Sequence, residues 1–178
     1  MAKFYPPESN NDYQGENDIF NLFQNYVNNS ANDTSSWLVF HSLNLSSSVH
    51  FINREGEIDF YIIIPGYGAV ILEIKGSYNI KFENNQWIFG QEVKQSPFEQ
   101  AKNNMYSLKN YIKEKFPEYK NMFFCYGVIF PYVKWPYSDT VLYNEWQLID
   151  IDKLNQKNIG TLVKELISKE IEIFKNKN

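Results

Sequence analysis

The spacing of apolar side chains divides the chain into elements before any chemistry is considered. From Gly15 the run ENDIFNLFQNYV places Ile19, Phe20, Leu22, Phe23, Tyr26 and Val27 at helical spacing, which predicts a helix over about Glu16 to Asn28. The residues before it, MAKFYPPESNND, hold two prolines among polar side chains, so residues 1–14 are expected to form an irregular arm. After the helix, NNSANDTSS reads as a turn-rich link to WLVFHSL and the alternating VHFI, both strand-like. The stretch GEIDFYIIIPGYGAVILEIK carries two apolar runs, Ile58 to Ile64 and Ala69 to Lys75, around a turn at Pro65 to Gly68. Such a hairpin belongs near the middle of a sheet, where both faces are covered. YNIKF and QWIF, joined at Asn84 and Asn85, predict a second, shorter hairpin.

At Pro97 the period changes. PFEQAKNNMYSLKNYIKEKF repeats Ala101, Met105, Leu108, Ile112 and Phe116 at steps of three or four, a long helix with proline in its first turn and Pro117 at its end. MFFCYGVIF is a buried strand ending at Pro131, WQLIDI a shorter one, and LVKELISKEIEIF a closing amphipathic helix. The order of elements predicts an α/β fold, a mixed central sheet with helices on both faces, formed by a single domain over residues 15–178. No GxGxxG or GxxxxGK stretch occurs, which sets nucleotide hydrolysis aside.

Composition narrows the setting. Cys125 is the single cysteine, so there is no internal disulfide and no cysteine-built zinc site, as expected of a reducing, cytoplasmic compartment. No apolar run approaches the roughly 20 residues that a membrane-spanning helix needs, and no leader-like segment opens the chain, so neither secretion nor membrane insertion is expected. The net charge of −4 argues against coating nucleic acid by electrostatics alone. It hides a gradient: residues 1–74 carry two basic against nine acidic side chains, and residues 75–120 carry eight basic against five acidic. Arg54 is the one arginine, leaving little material for bidentate base readout.

Against the apolar hairpin, Asp59, Glu73 and Lys75 stand out, because polar groups in covered strands are costly without a partner or a task. Glu73 and Lys75 are two apart and share a face. Pairing of the strands brings Asp59 towards them. Neighbouring carboxylates raise each other's pKa and are quietened by a cation. Two hard oxygen ligands with open positions suit Mg²⁺ or Mn²⁺ beside a substrate phosphate, and Lys75 would then steady developing charge or orient a water. The structural alternative is an ion pair of Lys75 with Glu73 or Asp59.

The run EIDFYIIIPGYGAVILEIKG, Trp87 after a short hairpin and the helix opening SPFEQAKNN strongly resemble the nuclease-related domain, NERD, a branch of the PD-(D/E)xK restriction-endonuclease-like fold. The resemblance runs from about Gly15 to Pro131. It implies that Asp59 and Glu73 bind the metal, that Glu16 completes its shell, that Lys75 is the catalytic lysine and that Gln100 stands near the site, with Glu57 at the rim. Ile58 replaces the proline of the superfamily's name, and Asn104 replaces the tyrosine of some relatives four residues after Gln100. The implied activity is Mg²⁺- or Mn²⁺-dependent hydrolysis of DNA without strong sequence preference, in DNA repair, processing or defence. The implied partners are DNA, a helicase domain that in this family often follows the nuclease-like part, or a second copy of the chain. A catalytically silent module that binds nucleic acid or protein on the same fold is the alternative.

Lys81, Lys94 and Lys102 are candidate phosphate contacts, and Tyr78 and Trp87 candidate surfaces for stacking on bases. His41 and His50, without a third ligand, are expected to be satisfied structural histidines, and Cys125 a small core residue.

Overall fold

The computed structural model of the chain describes residues 2–9, 12–29, 31, 32, 34, 36–45, 56–136 and 142–176. The strand-like VHFI, and with it His50 and Arg54, lies outside the described residues. The N-terminal residues hold more order than the prolines suggest. Lys3–Tyr5 form a short strand, β1, and the first helix, α1, spans Gln14–Asn28. Strand β1 pairs parallel to β2 (Leu38–Leu45), and Phe4 packs on the core, edge to face with Phe20. The arm is therefore partly an edge strand, held by backbone pairing that its polar composition does not announce.

The hairpin of β3 (Gly56–Ile64) and β4 (Gly68–Ile74) follows, antiparallel as predicted. Next comes a small sheet of β5 (Ile80–Glu83), β6 (Gln86–Phe89) and β7 (Glu92–Lys94). Asn84 and Asn85 turn its first hairpin with φ of 52° and 60°, the left-handed pair a two-residue turn requires. Helix α2 (Pro97–Lys115) starts on a Ser96 cap whose hydroxyl accepts the Glu99 N–H. β8 (Phe124–Phe130) and β9 (Leu148–Asp150) complete the large sheet, and α3 (Ile151–Gln156) and α4 (Ile159–Asn176) close the fold. The predicted strand WQLIDI is shorter than expected: Glu145–Gln147 form a 3-10 turn and Leu148–Asp150 alone are extended. β7 and α3 have no counterpart in the hydrophobic pattern, being only three and six residues long.

The six-stranded sheet runs β1-β2-β3-β4-β8-β9, parallel at β1/β2, β4/β8 and β8/β9 and antiparallel between. It is mixed, with helices on both faces, as expected. On one face Phe23 and Ile19 of α1 and Val163, Leu166 and Ile167 of α4 bury against Phe60, Ile62, Val70 and Leu72. On the other, Met105 and Leu108 of α2 pack on Ile58, Tyr61, Ala69 and Ile71. Each such side chain contributes on the order of 1.5–3 kcal/mol when fully buried. Strand β4 is thus central and covered on both sides, so a charged residue on it has no direct way to water except at its C-terminal end.

Candidate active site

The β3/β4 ladder runs from Ile64↔Gly68 to Phe60↔Leu72 and stops. Continuing that register sets Asp59 opposite Glu73, on the face that Tyr61 and Ile71 turn towards α2. In place of a further backbone bond, Asp59 Oδ2 accepts the Ile74 N–H at 2.7 Å. The Lys75 N–H instead donates to Ile129 O of β8 at 3.0 Å, so β4 stays with β8 as β3 leaves it. On the other side of β3 the ladder skips the Ser42/Asp59 pair, and Ser42 has a left-handed φ of 48°. Strain at one position and a side chain substituting for a ladder bond both fall at the acid.

The strands part into a cleft of about 590 Å³ whose walls include Glu16, Glu57, Asp59, Glu73, Lys75 and Gln100. The N-terminus of α1 closes one side through a contact between Gly15 and Gly76: a Cβ on Gly15 would sit 2.8 Å from Gly76 Cα, too close for any side chain. The N-terminal half of α2 closes the other. Asn104, buried on that helix, donates from Nδ2 to Glu57 O at 3.0 Å and ties α2 to the start of β3.

Within the cleft Lys75 Nζ donates to Glu73 Oε1 at 2.6 Å and to Gln100 Oε1 at 3.1 Å. Asp59 is 7% exposed and Glu73 1%, and Glu73 Oε2 has no hydrogen-bond partner among the described residues. Burial pushes both carboxyls above the ordinary carboxylate range. For Glu73 the charge of Asp59 adds to the rise, Lys75 opposes it, and Glu16 contributes the smallest push upward. For Asp59 the Ile74 N–H and the Lys75 ammonium oppose the rise. The site thus crowds two buried acids beside one lysine, which favours their protonated forms until a cation offsets the charge.

The three expected metal ligands, Asp59, Glu73 and Glu16, all line this cleft. They do not form a closed set, however: among the described residues no three Asp, Glu, His or Cys side chains converge as a group able to hold a metal ion. Asp59 and Glu73 form the core of the site, one Asp59 oxygen held by the Ile74 N–H and one Glu73 oxygen by Lys75.

The sequence profile of the nuclease-related domain, NERD, matches residues 11–133. The chain belongs to the NERD family. The matched span contains every residue that lines the cleft. No curated protein and no solved structure matches the chain.

The remaining candidates of this NERD domain separate by position. Lys94 lines the cleft and pairs with Glu92 at 2.9 Å. Lys81 lies at a different hollow, beside Trp87, Trp135 and Tyr143, and Lys102 is exposed on α2 without lining the cleft. Trp87 is 4% exposed and stacks on Trp135 at 5.3 Å, so it is a core residue of the small sheet with no face for a base, contrary to expectation. Tyr78 is 77% exposed and stacks on Tyr132. His41 is buried, packs on Phe20 and donates from Nε2 to Pro6 O at 3.1 Å, the satisfied histidine predicted. Cys125 is buried in the core. Asn104 is the cleft residue whose role the pattern did not single out, although a polar side chain one step before Met105 on the apolar stripe of α2 is a readable signal.

Proposed function

We propose that this NERD domain is a divalent-metal-dependent nuclease that hydrolyses DNA phosphodiester bonds in the cleft between β3, β4 and α2. The observation that carries the reading is Glu73 Oε2, a buried carboxylate oxygen without a partner, facing a second buried acid. A buried charged acceptor left unpaired is expensive unless a ligand satisfies it. Oxygen-only donors favour a hard cation that keeps waters, which supports Mg²⁺ or Mn²⁺. Asp59 and Glu73 would hold it, with Glu16 at the rim. Bound there, the cation supplies Lewis-acid polarisation of a phosphate and a more acidic water.

The chain's own groups have separate tasks. Asp59 is oriented by the Ile74 backbone, which leaves its other oxygen for the ligand. Gln100 holds Lys75 Nζ at the Glu73 carboxylate, where the ammonium stabilises charge that develops on a phosphate oxygen. Four acids and two lysines line the cleft, so a polyanion enters only when a cation offsets them. Weak grip on DNA follows, and a helicase-type partner or a second copy would deliver the substrate in repair or defence. A cytoplasmic setting fits the single, buried, unpaired cysteine, and among the described residues no helix is long and apolar enough to cross a membrane.

The second reading, a catalytically silent binding module, is favoured by the 2.6 Å Lys75–Glu73 pair, which already neutralises one acid. Cleavage of plasmid, linear and single-stranded DNA in Mn²⁺, beside Asp59→Ala and Lys75→Ala, separates the two. A nuclease loses cutting in both variants, and a silent module cuts in none.

A further inference from the structure

The acidic cleft continues past Gly76 into a smaller hollow of about 250 Å³ that ends on Tyr78 and Tyr132. The two rings are 4.4 Å apart and within 7° of parallel, and the Tyr132 hydroxyl donates to Asp18 Oδ2 of α1 at 2.6 Å. Tyr78 is 77% exposed although it is backed by this anchored ring. A large aromatic held flat, covered on one side and open to water on the other, is a poor core residue and a good platform. Tyr78 follows Lys75 by three residues, which places their Cα atoms within about 11 Å.

We propose that Tyr78, backed by Tyr132 and Asp18, stacks on an unpaired base of the polynucleotide whose phosphate lies in the cleft, so that the domain selects single-stranded or frayed nucleic acid over closed duplex. The inference rests on the nuclease reading for the position of the phosphate. Its physical basis is that bases inside a duplex already have both faces covered, whereas an unpaired base offers a free π-face to any aromatic surface.

The test is equilibrium binding of the full chain, in Ca²⁺ buffer, to a short oligonucleotide carrying 2-aminopurine. The oligonucleotide is offered as single-stranded DNA, single-stranded RNA and blunt DNA duplex, to the intact chain, Tyr78→Phe and Tyr78→Ala. The expected result is tighter binding and stronger 2-aminopurine quenching for single strands. Tyr78→Ala should weaken single-strand binding by roughly 5- to 150-fold, the size of one base–aromatic stack, and Tyr78→Phe should retain it. Agreement of the two single-strand arms assigns the contact to the base alone, and a gap between them adds the sugar. Equal binding of duplex and single strand, an unchanged Tyr78→Ala affinity, or no binding of any oligonucleotide would each overturn the proposal. Plasmid cutting by the intact chain in Mn²⁺ is scored separately. Cutting with no effect of Tyr78→Ala on binding leaves the nuclease and removes the platform, and Tyr78-dependent binding without cutting does the reverse.

Discussion

Asp59 of one strand accepts the backbone N–H of Ile74, the residue lying between Glu73 and Lys75 on the next. The acid that leaves the ladder is thereby fixed by the strand that carries the other two charged groups. Asp59→Asn retains an oxygen acceptor for that N–H, and Asp59→Ala does not. Asp59→Asn is expected to fold like the parent and to lose cutting by two orders of magnitude or more, on the scale of about 10²–10³ for deleting one preorganised electrostatic group. Asp59→Ala is expected to lose both cutting and about 1–3 kcal/mol of stability through the orphaned amide. Plasmid cleavage and urea unfolding of the two variants read these effects apart.

Glu73 gives the pH dependence. Its folded carboxyl is pushed above the unfolded value, first by burial and then by Asp59. The folded state therefore holds the proton more tightly, and the stability this confers is complete below the ordinary carboxylate range and is lost as pH rises through the raised value. The metal-free chain is expected to melt at falling temperature as pH increases above that range. Glu73→Gln should flatten the profile. Thermal melts in EDTA across pH 4–9, roughly the span from the unfolded carboxylate upward, check the sign.

Lys75 and Glu73 form a unit, so their substitutions should not add. Lys75→Met leaves a buried carboxylate without its donor and is expected to cost about 1–3 kcal/mol. The double variant Lys75→Met/Glu73→Gln should recover most of that loss, with cutting absent in both. A double-mutant cycle by denaturant unfolding measures the coupling.

Trp87 belongs to the packing of the small sheet, between Trp135, Phe98 and Phe130. Trp87→Ala is expected to cost about 3–5 kcal/mol. Its effect on DNA should appear as unfolding, read by circular dichroism, rather than as weakened binding by a folded domain.

The candidate site was legible where charged residues interrupt the hydrophobic pattern. Asp59, Glu73 and Lys75 stand out because three charged residues interrupt strands that are otherwise apolar, and the register then brings the two acids face to face. The two hairpins and α2 were legible because Pro65 to Gly68, Asn84–Asn85 and Ser96–Pro97 carry the turn and cap chemistry those elements need. The strand Lys3–Tyr5, β7 and α3 were not, since elements this short draw their order from pairing and packing rather than from any period of their own. Trp87, Lys81 and Lys102 stand near the site in sequence, but the small sheet and α2 turn them to a core, a different hollow and open solvent. Tyr132 and Asp18 are 114 residues apart, and no local signal joins them.

A thermal melt of the intact chain and of Asp59→Asn with increasing Mn²⁺, run beside plasmid cleavage in the same buffers, decides whether the buried acid pair holds a catalytic cation. Binding at 100 times the Kd adds about 2.7 kcal/mol, or roughly 5–10 °C for a domain of this size. That rise in the intact chain together with cutting, and neither in Asp59→Asn, is the expected result. An equal rise in both proteins, or no rise and no cutting in the intact chain, would contradict it.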